Sequence, residues 1–149
     1  MATITTIAGK TLEVLLVDDN RTDAILIREA LKHCRLPVNL SDIQDGALAL
    51  DYLRRQGNYA QAPEVDLVLL DLNMPKMTGW DVLMEMKADF RLGSLPVLIV
   101  TSSRNADEAR RAYQMDAESY LVKPPNLFEF PMLLKTIERI FVDPECHPT

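Results

Sequence analysis

Five short apolar runs recur along the chain, and most are followed by a stretch with helical spacing. The first, LEVLLV at residues 12–17, carries one charged position and reads as a buried strand. From Arg21 the period changes. Ala24, Ile27, Leu31 and Cys34 fall on one helical face, Asn20 is placed to cap it, and Asp23 adds negative charge to the first turn. Residues 36–43 (LPVNLSDI) read as a second strand, Asp45-Gly46 as a turn, and residues 47–56 (ALALDYLRRQ) as a short helix. The following GNYAQAPE reads as a loop. A third strand is expected at 65–70, a helix from about Gly79 to Ala88, a fourth strand from Pro96 to Thr101, and a helix over 106–114 capped by Asn105. A fifth strand, ESYLV, ends at Lys123. The last helix carries Leu133, Leu134, Ile137 and Ile140. Pro131 would break a helical hydrogen bond if Asn126 were the cap, so the regular helix should begin later or bend there.

Strands and helices therefore alternate five times at short spacing, without repeat or linker. Strands one, three and four have few polar positions, as expected of strands covered by helices on both faces. This is the pattern of a doubly wound α/β fold: a flavodoxin-like (βα)5 parallel five-stranded sheet of order 2-1-3-4-5. The 149 residues suit a single domain, 1–149, with short tails around a core of about 11–142.

The third strand raises a question of chemistry. An apolar run built for burial ends on Asp71, followed closely by Asn73, Pro75 and Gly79. A carboxylate at the edge of a core costs free energy unless something compensates for it. Taken singly, each polar strand end has a plain reading: Asp18-Asp19 as a turn and cap pair, Asp71 as an Asx turn, Thr101 as a common strand end, Lys123 as surface. Sites in open α/β sheets lie at the carboxyl ends of the strands. In the order 2-1-3-4-5 that rule brings Asp18, Asp19, Asp71, Thr101 and Lys123 to one edge. Oxygen donors with excess negative charge suit Mg²⁺. Asp19 and Asp71 are expected as direct ligands with a backbone carbonyl near Asn73, and Asp18 through water. A carboxylate beside a cation and a lysine, with no general base, suits attack on phosphorus to give an aspartyl phosphate.

Composition narrows the partners. Hydrophobic residues make up 48% and charged residues 26%, with a net charge of −6 and a pI of about 4.9. Clustered Lys and Arg are lacking, which argues against nucleic acid. No apolar stretch approaches the roughly 20 residues that span a bilayer, and no signal segment is evident; a cytoplasmic protein is expected. Cys34 and Cys146 show no metal spacing and no disulfide framework. Cys34 reads as core, His33 as surface, and Cys146-His147 as a pair without further ligands.

The motifs LLVDDN (15–20), LLDLNMPKMTGWDVL (69–83), VLIVTSS (97–103) and YLVKP (120–124) together resemble the receiver domain of bacterial response regulators. The stretch from Leu53 to Asp89, with its QGNYAQAP loop, is similar to the small stand-alone response regulators of cyanobacterial phytochromes. The resemblance implies a phosphoacceptor signalling protein rather than an enzyme. Asp71 would accept phosphate from a histidine kinase, of phytochrome type. Asp18 and Asp19 would form the metal pocket, Thr101 would be the switch hydroxyl, Tyr120 the switch aromatic, and Lys123-Pro124 a cis peptide. Such regulators often dimerise, here through the C-terminal third, and signal to a downstream protein that the sequence does not name. Pro125 and Pro131 depart from the family pattern. A phosphorylation-independent adaptor of the same fold, a pseudo-receiver, is the alternative; Asp71, Thr101 and Lys123 argue against it. An aspartyl-phosphate phosphatase would want an acid where Asn73 stands, and a flavodoxin-like cofactor carrier would want a phosphate loop where DDNRTD stands.

Overall fold

The structure is a computed structural model that describes residues 11–102, 105–123 and 131–141. The elements run β1 (Leu12–Val17), α1 (Arg21–Leu31), β2 (Val38–Ile43), α2 (Gly46–Arg54), β3 (Leu67–Leu70), α3 (Gly79–Ala88), β4 (Val97–Thr101), α4 (Ala106–Gln114), β5 (Ser119–Val122) and α5 (Pro131–Phe141). All strand pairs are parallel, in the order β2-β1-β3-β4-β5. The expected doubly wound flavodoxin-like architecture is therefore present.

The two faces of the sheet explain why the central strands are apolar but for Glu13 of β1 and the terminal Thr101 of β4. Leu12, Val14, Leu16, Leu67, Leu69, Leu98 and Val100 point to one side, where they pack with Ala24 and Ile27 of α1 and Leu133 and Ile137 of α5. Their alternates Leu15, Val17, Val68, Leu70, Val97 and Ile99 face Leu50, Leu53, Val82, Met86 and Ala112 of α2, α3 and α4. Successive side chains of a strand point to opposite faces, so a strand covered on both sides has little place for a polar residue away from its ends.

Most element ends follow the expected signals. Asn20 caps α1 through the Asp23 N–H, and Asn105 caps α4 through the N–H groups of Asp107 and Glu108. Thr78 and Asp81 form a reciprocal capping box at α3. Asp45 is not a turn residue. It caps α2, accepting from Ala47 and Leu48, and Gly46 is the first helical residue. A Cβ on Gly46 would meet Val82 Cγ2 at 2.9 Å, so the glycine permits the close approach of α2 to α3. That helix stops at Arg54, because Arg55 turns into the left-handed region (φ 56°). GNYAQAPE contains a 3₁₀ turn at Gly57–Tyr59. Helix α1 ends at Leu31, so Cys34 lies beyond it and is half-buried rather than core, while His33 is exposed as expected. Strand β2 starts at Val38, after Pro37 has given its carbonyl to Leu12 N–H at 2.8 Å. Strands β3 and β5 are shorter than expected, starting at Leu67 and Ser119. Helix α5 begins at Pro131, the position where a missing N–H costs nothing. The Lys123-Pro124 peptide, Ser103, Pro125, Asn126, Cys146 and His147 lie outside the described residues.

One packing constraint sits directly beside the carboxyl end of β3. The Gly79 N–H donates to Leu72 O at 3.1 Å, drawing the start of α3 against the chain that follows β3. A Cβ there would overlap the Asp71 carbonyl oxygen and lie 2.7 Å from Leu72 Cα. Both neighbours are backbone and neither can rotate away. Gly79→Ala should therefore lower stability by about 1–3 kcal/mol in chemical denaturation, where an unchanged midpoint would show that α3 is free to shift.

Candidate functional site

Asp18, Asp71 and Lys123 each stand one step past a strand, held by a ladder bond that outlasts it. Asp18 N–H donates to Ile43 O at 3.2 Å, Asp71 N–H to Val17 O at 2.9 Å, and Lys123 N–H to Thr101 O at 2.7 Å. The backbone of three site residues is thus fixed by the sheet before any side-chain contact is made. Thr101 is the last residue of β4 and is fully buried.

The side chains converge. One oxygen each from Asp18, Asp19 and Asp71 lies within 4.8 Å of the others. Asp18 is 0% and Asp71 5% exposed. Lys123 Nζ reaches Asp71 Oδ2 at 3.3 Å, Asp18 Oδ2 at 2.8 Å and Asp23 Oδ2 at 2.7 Å. Asp18 Oδ1 accepts the Asn20 N–H at 2.8 Å, and Asp71 Oδ1 accepts the Asn73 N–H at 3.2 Å. Asn73 Nδ2 donates to Thr101 Oγ1 at 3.4 Å, tying the loop after β3 to the end of β4. Tyr120 is half-buried on β5, with its hydroxyl donating to Glu108 Oε1 at 3.3 Å. It stands apart from the carboxylates, on the face shared with α4.

Asp23 is the residue that sequence reasoning undervalued. Its signal, an acid in the first turn of α1, has a sufficient local reading as helix-dipole compensation. Its contact to Lys123 crosses 100 residues of chain, a separation at which local pattern is silent.

Burial drives the Asp18 carboxyl up to about 6 from 3.8; Lys123 and the Asn20 N–H oppose the rise and Asp71 adds to it. For Lys123, burial alone would lower the ammonium, but the adjacent carboxylates of Asp18 and Asp23 outweigh it and hold the group above its ordinary range. Asp18 Oδ2 remains short of a donor. The ammonium is close to it as an ion pair but off the hydrogen-bonding direction, and this buried oxygen has no hydrogen bond.

A groove of about 720 Å³ lined by Arg54, Arg55, Glu64, Arg91 and Pro96 opens near the amino ends of β3 and β4. That is the opposite end of the sheet from the carboxylates, and the end where open α/β sheets do not place their sites.

The sequence profile described as the response regulator receiver domain matches residues 14–137. The chain belongs to the response regulator receiver family. Response regulator Rcp1 of Synechocystis sp. is 35% identical over 130 residues, covering 87% of this chain and 88% of Rcp1. The phosphorylated cyanobacterial phytochrome response regulator RcpA superposes with a TM-score of 0.80 at 38% identity, covering 89% of this chain and 94% of RcpA. The Mn²⁺-bound form of Rcp1 gives a TM-score of 0.78 at 34% identity, covering 93% and 99%. Receiver domains are signalling modules with an acidic pocket for a divalent metal. Among the described residues, no helix is long and apolar enough to cross a membrane.

The residues of this receiver fit such a metal. The donors are carboxylate oxygens, one buried oxygen lacks a hydrogen bond, and the charge of three acids exceeds what one lysine offsets. Protons compete with the cation, and the raised Asp18 carboxyl sets where. Above about pH 7 Asp18 is ionised and Mg²⁺ affinity should be nearly flat. Below about 6 the affinity should fall by up to about tenfold per pH unit. Calorimetric titrations with Mg²⁺ between pH 5 and 8 measure this, and a constant affinity down to pH 5 would refute the raised Asp18.

Proposed function

We propose that this receiver, as a single domain with its core at about 11–142, is a phosphorylation switch. It takes phosphate on Asp71 from a histidine kinase of phytochrome type in a Mg²⁺-dependent reaction. The observation that carries the reading is the position of Asp71: a nearly buried carboxylate on the central strand, touched by Lys123 and flanked by Asp18 and Asp19. The phosphorylated state of RcpA, at 38% identity, supports the chemistry, and the likeness to a phytochrome regulator supports the kinase type.

A carboxylate oxygen of Asp71 attacks phosphorus, the phosphorus–nitrogen bond of the donor phosphohistidine breaks, and its electron pair stays on the leaving imidazole. No general base is required, since the nucleophile is already ionised. The Asn73 N–H orients Asp71 through Oδ1. Lys123 offsets charge on the transferred group. Asp19, Asp71 and the Asn73 carbonyl would hold Mg²⁺, with Asp18 through water. Bound there, the ion supplies positive charge against the phosphoryl oxygens.

The phosphoryl group then competes for Thr101, whose hydroxyl now meets Asn73 Nδ2. As Thr101 turns toward it, Tyr120 gives up Glu108 and swings inward, altering the surface of α4, β5 and α5. That surface would carry the output, to a second copy or a downstream protein. On α5 most apolar residues are already used: Leu133 and Ile137 are buried, while Leu134, Ile140 and Phe141 pack against the core. Met132 on α5 and Tyr113 on α4 remain exposed.

Intact mass after treatment with a small-molecule phosphodonor and Mg²⁺ tests the reading. One phosphate is expected on the wild type, none without Mg²⁺ and none on Asp71→Asn. A stoichiometric adduct on Asp71→Asn would overturn the assignment. No adduct on the wild type from either the small donor or a phytochrome-type kinase would favour the adaptor instead.

A further inference from the structure

We infer that Asp23 is a positioning residue for Lys123, drawing its ammonium toward the α1 side of the pocket so that the lysine is shared between Asp23 and Asp71 rather than resting on Asp71 alone. The distances show the bias: Nζ lies 2.7 Å from Asp23 and 2.8 Å from Asp18 but 3.3 Å from Asp71. Asp23 stands outside the set of three acids whose oxygens cluster within 4.8 Å. It therefore acts on the pocket through the lysine. Its side chain is 27% exposed against 7% for Lys123, which puts it at the rim, with the ammonium beneath.

The capping arrangement of α1 explains why this carboxylate is available. An acid three residues after an N-cap ordinarily bonds back to the cap residue's own N–H. Asp81 does so in α3, accepting the Thr78 N–H at 3.1 Å. In α1 the equivalent donor, Asn20 N–H, is already taken by Asp18 Oδ1 at 2.8 Å. Asp23 receives the cap at its backbone, where its N–H donates to Asn20 Oδ1 at 3.0 Å, and its side chain is left to reach β5. One of the pocket acids, Asp18, thus frees a second acid to hold the lysine.

The consequence concerns the cation. A lysine drawn toward Asp23 repels a metal in the pocket less than one lying wholly on Asp71. Without Asp23 the ammonium would close further on Asp71, to which it already donates at 3.3 Å, and compete more strongly for an oxygen that the metal needs. This deepens the proposed phosphoacceptor reading and rests on it for the metal, though not for the geometry.

Two measurements test the inference. Mg²⁺ is titrated calorimetrically into wild type, Asp23→Asn, Lys123→Ala and the double variant. Asp23→Asn should weaken binding about fivefold with Lys123 present and less than about twofold with alanine there. Equal losses in both backgrounds, or no loss, would overturn it, since Asp23 would then act by its own charge or not at all. In the metal-free protein, the Lys123 ammonium should give a slowly exchanging nitrogen–proton NMR signal that vanishes in Asp23→Asn and returns in Asp23→Glu. A signal unchanged in Asp23→Asn would refute the tether even if Lys123→Ala fails to fold. A wild type that binds no Mg²⁺ would defeat the metal reading alone, leaving the NMR result to decide on Asp23.

Discussion

The ammonium of Lys123 is the interaction on which the site depends. It meets Asp18, Asp23 and Asp71 from the end of β5, with its side chain 7% exposed. Two unit charges about 4 Å apart interact by about 1 kcal/mol in water and by about 4 kcal/mol at an effective dielectric of 20. The repulsion among Asp18, Asp19 and Asp71 is therefore serious only because the sheet edge excludes water. One cation relieves part of it. What is left over, together with the buried Asp18 oxygen that lacks a hydrogen bond, is what makes the pocket attractive to a divalent ion.

The backbone fixes this arrangement. Parallel ladder bonds carry on past the strands at Asp18, Asp71 and Lys123. Apolar packing on both faces of the sheet then holds the strands themselves in register. Gly79 brings α3 against the strand end that bears Asp71, so core packing and site geometry meet at one residue. Fold alone would not identify the chemistry, since many functions share this architecture. The proposed chemistry rests on the side chains at the strand ends.

Strands β1, β3 and β4 were legible in the sequence because double-sided burial leaves nearly unbroken apolar runs, and Asn20, Asn105 and Gly79 announced helix starts. Asp45 was harder. Asp-Gly serves equally as a turn and as a cap with a first helical residue, and only the packing of Gly46 on Val82 decides between them. Asp18, Asp19, Asp71, Thr101 and Lys123 could be placed together from topology, because strand order alone brings strand ends to one edge. Asp23 could not, since its partner is set by which donor Asn20 has already spent. The Tyr120–Glu108 contact was likewise out of reach, as it depends on how α4 lies along β5.

The most direct measurement is a crystal structure of this receiver grown with Mg²⁺ and beryllofluoride, a mimic of the phosphoryl group. The account predicts the mimic on Asp71, a metal ion held by Asp19, Asp71 and the Asn73 carbonyl, and the Lys123 ammonium and Thr101 hydroxyl turned to the mimic. A mimic or metal found elsewhere, with Asp71 bare under saturating conditions, would contradict it.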